Sequence, residues 1–376
     1  MDQAMFHLIA DGARASQRRR SRGARLMTIS LALVVSAGAL AGLWLAFRPY
    51  RSPVRTTRSP QSPATLSPHI GANVPVGPFP QAIAVGDGDV WVSMPSQDPS
   101  TPDELIRVDP STDRVDATIA VPGPIDGLIT GYGAVWASAF ERGIGGVVLR
   151  IDPQTDRIEA TIPGAGGHFA VGDGSVWTSG SNDKQGRTSE LSRIDPSTNR
   201  IVRTISLDLP APYITFGEGA VWGTVPTLRP NSTVGSGDLI RIDPTTNDVA
   251  ATIHVNASPG ALAVGDGLVW VWGSVSSTEG VVRIDARTDD IVGQVLQLSE
   301  GFDPIGADQT GVWFLTGGKI GTLEHLNGRS LRVDAAMPLA QVPAFRFPPT
   351  AALDPRDAVI WVANYRRSVT RIDLEP

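Results

Sequence analysis

The sequence predicts an all-β chain: a seven-bladed β-propeller closed by an N-terminal strand that completes the last blade, preceded by one transmembrane helix. Three observations carry this reading. A six-residue phrase ending in Trp recurs at intervals of one blade, a hairpin phrase alternates with it, and the composition suits strands and tight turns. Forty Gly and thirty Pro accompany only five Met among 376 residues, which favours many short strands over packed helices.

The N-terminal elements come first. Residues 1–25 form a short basic tail, and residues 26–47, LMTISLALVVSAGALAGLWLAF, contain no charge. At about 1.5 Å per residue such a run covers a hydrocarbon core of about 30 Å, so it reads as a transmembrane helix. Ala39-Leu40-Ala41 has the small-residue spacing of a cleavage site but lies inside the run, which is too long for a signal peptide's apolar core. An uncleaved anchor is expected. Trp44 and Tyr50 fall at an interfacial level. Six Arg precede the span and four follow it, a mild bias that puts the N-terminus in the cytoplasm and the main body outside the cell membrane. Residues 48–69 are rich in Pro, Ser and Arg and read as an extended tether to the propeller at 70–376.

Charge and cysteine usage exclude some functions. Residues 1–58 carry +8 and the whole chain −6, leaving −14 on the remainder, a balance that repels phosphate backbones and argues against nucleic acid. With no Cys, disulfides and thiolate metal sites are impossible.

The blades follow. The first phrase is GDGDVW at 86–91, GYGAVW at 131–136, GDGSVW at 172–177, GEGAVW at 217–222 and GDGLVW at 265–270, with weaker copies ending at Trp313 and Trp361. Successive Trp are 45, 41, 45, 48, 43 and 48 residues apart, the period of a four-stranded blade. The alternating phrase, LIRVDPSTDRVDATI at 105–119 and its four relatives, reads as a hairpin. Asp109 caps its turn, Pro110 presets φ, and Asp113, Asp156, Asn199, Asn247 and Asp289 occupy the left-handed position. Each unit is therefore strand a, a Gly-Asp-Gly turn, strand b, a variable loop, strand c, the Asp-Pro turn and strand d. The Asp of Gly-Asp-Gly is read as a turn residue, because one carboxylate falls far short of the six to eight oxygens Ca²⁺ takes. The seventh copy stops after strand c, and the missing strand d is supplied from near Ile70 to Val76.

A strand ending in G-D-G-x-V-W paired with R-I-D-P-x-T resembles the YVTN-type bacterial propeller repeat and the related streptogramin (virginiamycin B) lyase-like propellers, over about residues 70–376. The resemblance implies the fold. It also implies, as an alternative, a lyase acting through His and acidic residues with Mg²⁺, although the chain differs in its apolar N-terminal run, and His168, His254 and His325 lack neighbours that match a catalytic motif. Apart from that alternative no cofactor is expected.

Function should sit on the face bearing the b–c and d–a loops, which vary while the turns of the other face repeat. Nine residues before each Trp stands the entrance of the inner strand: Ala82, Gly127, His168, Tyr213, Ala261, Pro304 and, shifted by one, Ala351. His168 and Tyr213 are the two large side chains, from adjacent blades. Asp126, Phe302 and Asp303 are expected beside them, with His168 as the candidate base if the protein is an enzyme. Phe345, Arg346 and Phe347 form a second candidate contact, and Tyr365-Arg366-Arg367 a third, since Arg and aromatics anchor interfaces. Asn231 and Asn256 open glycosylation-type sequons. The reading that results is a membrane-anchored, extracytoplasmic module binding a protein, glycan or small molecule. A lyase or hydrolase and a sensory ectodomain are the alternatives.

Overall fold

The computed structural model describes residues 67–375 apart from 97, 99–100, 142, 182–188, 208–212, 227–235, 276–277, 297–301, 317–319, 344–349 and 365–366. The tail, the apolar run at 26–47, most of the tether, Asn231 and the Phe345–Phe347 segment lie outside the described residues. No helix among the described residues is long and apolar enough to cross a membrane.

Seven four-stranded antiparallel sheets make up the fold. Blade 1 holds β2–β5 (Ile83–Gly86, Asp89–Met94, Asp103–Asp109, Arg114–Val121) and blade 2 holds β6–β9 (Ile125–Gly131, Ala134–Glu141, Gly145–Asp152, Arg157–Pro163). Blade 3 holds β10–β13 (His168–Gly172, Ser175–Ser181, Ser189–Asp195, Arg200–Leu207) and blade 4 holds β14–β17 (Tyr213–Gly217, Ala220–Pro226, Gly237–Asp243, Asp248–Val255). Blade 5 holds β18–β21 (Ser258–Gly265, Leu268–Val275, Thr278–Asp285, Ile291–Leu296) and blade 6 holds β22–β25 (Phe302–Ala307, Gly311–Thr316, Ile320–Asn327, Val333–Pro343). Blade 7 holds β26–β28 (Ala351–Asp354, Val359–Asn364, Ser368–Glu375) and, on its outer edge, β1 (Ser67–Pro75). The inner strands neighbour one another in succession, and β26 returns to β2, so the sheets form a ring.

The Gly-Asp-Gly phrase makes a two-residue hairpin. Gly86 pairs with Asp89, while Asp87 and Gly88 have φ of 56° and 90°. Two successive positive φ values are those of a type I′ turn, whose twist matches the flanking strands and which Asp-Gly readily adopts. The Asp is a turn residue, as its chemistry suggested. On the c–d turns Asp109 Oδ1 accepts from the Ser111 amide at 2.7 Å, and Asp113, Asp156, Asn199, Asn247 and Asp289 have φ between 55° and 63°. The hydrogen bonds hold the Asp109 carboxyl below its ordinary pKa, and the same holds for Asp152, Asp195, Asp243 and Asp285.

The core consists of seams between blades. Trp136 packs with Val148 and Ile162 of its own blade against Val176 and Ile194 of blade 3, and Trp91, Trp177, Trp222, Trp313 and Trp361 are buried in the same manner. Each Trp faces a strand-c partner, which is Arg in six blades. In blades 2 to 5 the Arg lies over the indole, and it reaches the next blade: Arg150 sits 5.7 Å from the Trp136 ring and donates to Asn199 at 3.1 Å. Arg107 reaches Asp156, Arg193 reaches Asn247, Arg241 reaches Asp289 and Arg371 reaches Asp113. The Asp/Asn at the left-handed turn position thus serves two purposes: it tolerates the backbone geometry and receives the preceding blade's guanidinium.

β1 pairs antiparallel with β28 from Ser67↔Glu375 to Pro75↔Ser368, so the seventh sheet is built from both ends of the described chain. This pairing begins at Ser67, inside the stretch that composition assigns to the tether. Val74 packs with Trp361, Val90 and Ile106 in the seam between blades 7 and 1.

Candidate functional site at the loop face of blades 2 to 4

His168 opens β10 and Tyr213 opens β14, and these inner strands are neighbours in the ring. Their rings lie 4.1 Å apart between centroids, inclined by 33°. Tyr213 is 46% exposed and His168 half-buried. Burial pushes the imidazole pKa below its ordinary 6.5, against the opposing pull of the Asp126 carboxylate. At neutral pH the ring is uncharged and offers one donor and one acceptor beside the phenol.

Asp126 reaches this neighbourhood through a break in register. β6 pairs Ile125 with Ala139 and Gly127 with Ser138, leaving Asp126 as the extra residue, and such a bulge re-aims its side chain. The same irregularity corrects the count of strand entrances. His168, Tyr213 and Ala351 do begin their strands, and Ala82 immediately precedes one, but Gly127, Ala261 and Pro304 lie inside β6, β18 and β22. Those three strands each carry a register shift, which slides the count from the Trp.

Phe302 and Asp303 begin β22, three blades further round the ring, with Phe302 paired to Thr316 in the ladder. His254 and His325 take no part in the mouth. His254 is exposed and contacts Asp238 at 3.0 Å. His325 is buried beneath the repeated turns, bonded to Asp334 at 2.6 Å and Thr310 at 3.2 Å, in the place that Arg takes in the other blades. Among the described residues no group of three or more His, Asp or Glu is placed to hold a metal ion.

The sequence reading missed one feature of this face. A cleft of about 480 Å³ opens between blades 2 and 3, bordered by Asp126, Phe140, the Gly164–Gly167 connection and the hydroxyls of Ser138, Thr178 and Ser192. Gly167 lets the connection enter β10 close against β11 of the same blade: its φ is +88°, and a Cβ would stand 2.0 Å from the Ser179 carbonyl oxygen. The clue available in the sequence was the phrase PGAGGH at 163–168, a connection with almost no side chains immediately before the His already singled out.

No family model and no curated protein matches the chain. Solved structures do. Hydrazine synthase of Kuenenia stuttgartiensis superposes with a TM-score of 0.62 at 13% identity, covering 78% of this chain and 95% of that one. The WD40 domain of Toxoplasma gondii coronin superposes with a TM-score of 0.60 at 13% identity, covering 82% and 86%. At such identity the likeness is one of fold, and the conclusion it supports is that this chain carries a seven-bladed β-propeller.

Proposed function

We propose that the protein is a membrane-anchored propeller that binds a ligand outside the membrane through its loop face, at the mouth bordered by His168, Tyr213 and Asp126. The anchor is the apolar run at 26–47, and the ring is locked by β1. The YVTN-type phrases are scaffold in this reading, because every one of their polar residues described above serves a turn or a blade seam. The observation that carries the proposal is the close, tilted His168–Tyr213 pair, an uncharged imidazole beside a half-exposed phenol at adjacent strand entrances. Such a pair offers two ring faces with donors and acceptors at their edges, suited to recognition. A lyase or hydrolase with His168 as base is the second reading, favoured by the neutral state that burial gives the imidazole.

The test is a thermal-shift screen of the purified full chain against peptides, oligosaccharides and small metabolites, since a ligand that binds only the folded form raises its melting temperature. The shift should disappear in the His168→Ala/Tyr213→Ala variant while that variant's own melting remains cooperative. A shift undiminished in the double variant would move binding away from the mouth. Turnover of a screened compound, lost in His168→Ala, would favour the enzyme.

A further inference from the structure

We infer that the cleft between blades 2 and 3 is a saccharide-binding subsite, an inference that rests on the binding role proposed for this face. Its walls differ from those of the corresponding seams. The strand-b residue that follows the Trp and faces the preceding blade is Val92, Ala137, Val271 and Val362 in blades 1, 2, 5 and 7, but Thr178 in blade 3. The strand-c residue paired with it is Ile106, Leu149, Ile240 and Val282 in blades 1, 2, 4 and 5, Glu324 in blade 6 and Thr370 in blade 7, and Ser192 in blade 3, so that blade 3 is the one with a hydroxyl at both positions. Both are buried and line the cleft, and neither hydroxyl has a hydrogen-bond partner among the described residues. Ser138, across the gap, accepts from the Gly167 amide at 2.7 Å, which leaves its own O–H to donate.

The chemistry selects among ligands. An apolar molecule would strip water from Thr178 and Ser192 and return nothing, and buried polar groups are costly to leave unpaired. An anion meets the Asp126 carboxylate and no Lys or Arg among the described lining residues. A saccharide fits both conditions. Its hydroxyls donate and accept, a carboxylate such as Asp126 takes two of them, and Phe140, 60% exposed at the rim, offers a ring to a sugar's C–H face. The volume of about 480 Å³ lies in the range of small-molecule sites, and Asp126 is common to the cleft and the mouth.

The test is an array of neutral and acidic oligosaccharides probed with the full-length chain, followed by titration of the best binder. Thr178→Val/Ser192→Val, which gives blade 3 the aliphatic pair found in blades 1, 2 and 5, should keep or raise the melting temperature and weaken binding at least tenfold. Retained affinity in that variant, with loss only in His168→Ala/Tyr213→Ala, would overturn the cleft and leave the mouth standing. An array on which the wild-type chain binds no more than the valine variant would overturn the cleft as well, and the broader screen would then decide the mouth by itself.

Discussion

Replacing Trp136 with Ala should remove a large part of the propeller's stability. The indole is fully buried in the seam of blades 2 and 3, packed on Val148, Ile162, Val176 and Ile194. Its Nε1 donates to the Gly131 carbonyl at 3.0 Å, and Arg150 lies over its face at 5.7 Å. Truncating a buried Trp costs about 3 to 5 kcal/mol, the lost hydrogen bond adds about 1, and the lost cation–π contact about 0.5 to 1. A total of about 5 kcal/mol stands against whole-domain stabilities of about 5 to 15 kcal/mol. Urea unfolding followed by far-ultraviolet circular dichroism, which does not depend on the deleted fluorophore, gives the difference. Trp136→Phe, which refills most of the volume, should lose about half as much. A loss below about 2 kcal/mol in Trp136→Ala would refute the argument, because it would mean that the seam collapses around the gap or that blade 2 contributes little to the cooperative unit.

Four further outcomes are expected. Gly88→Ala should cost about 1 to 2 kcal/mol, since φ is +90° but nothing lies within 4 Å of the new Cβ, whereas Gly167→Ala, with a carbonyl oxygen 2.0 Å away, should cost clearly more; paired melting curves decide it. The depressed His168 pKa means that the unfolded chain binds the proton more readily, so its contribution is whole above the ordinary 6.5 and declines as pH falls from there toward the folded value; His168→Phe, measured from pH 8 to 5, should lack that slope. Deleting residues 67–75 should expose the edge of β28, lower the melting temperature and promote association, and a deletion chain that melts like the parent would remove β1 from the lock. Protease added outside intact, outer-permeabilised cells should reach the propeller if it lies outside the membrane; protection until lysis would put it inside.

The scaffold was legible because it is repeated. A turn that demands positive φ twice in succession leaves Asp-Gly or its equivalents wherever it occurs, and the Trp follows at a fixed offset. The forward reach of Arg150 to Asn199 was hidden, since a contact between residues 49 apart leaves no local pattern, although the recurrence of Asp or Asn at the left-handed c–d turn position of blades 1 to 5 contained it. The site was legible in part. His168 and Tyr213 stood out from small neighbours at a counted position, and their rings lie 4.1 Å apart. The count failed at Gly127, Ala261 and Pro304, where bulges add residues that a fixed offset cannot foresee. The cleft was illegible for a different reason: Thr178 and Ser192 alternate in a strand as a solvent-facing residue would, and only the ring turns that face toward a neighbouring blade.

The Arg latches run in one rotational sense, each blade holding the next, and blade 6 interrupts them. His325 spends its bonds on Asp334 and Thr310 of its own blade and, among the described residues, sends no side-chain bond to blade 7, whereas Arg371 carries the series from blade 7 to blade 1. The place where the two chain ends meet is therefore clamped, and the gap in the series lies one blade earlier. Amide exchange with deuterium should show it: protection in β26 and the facing edge of β22 should fail at a lower opening free energy than elsewhere among the inner strands. Opening at that seam would part β1 from β25 of blade 6 while leaving the β1–β28 ladder paired within blade 7.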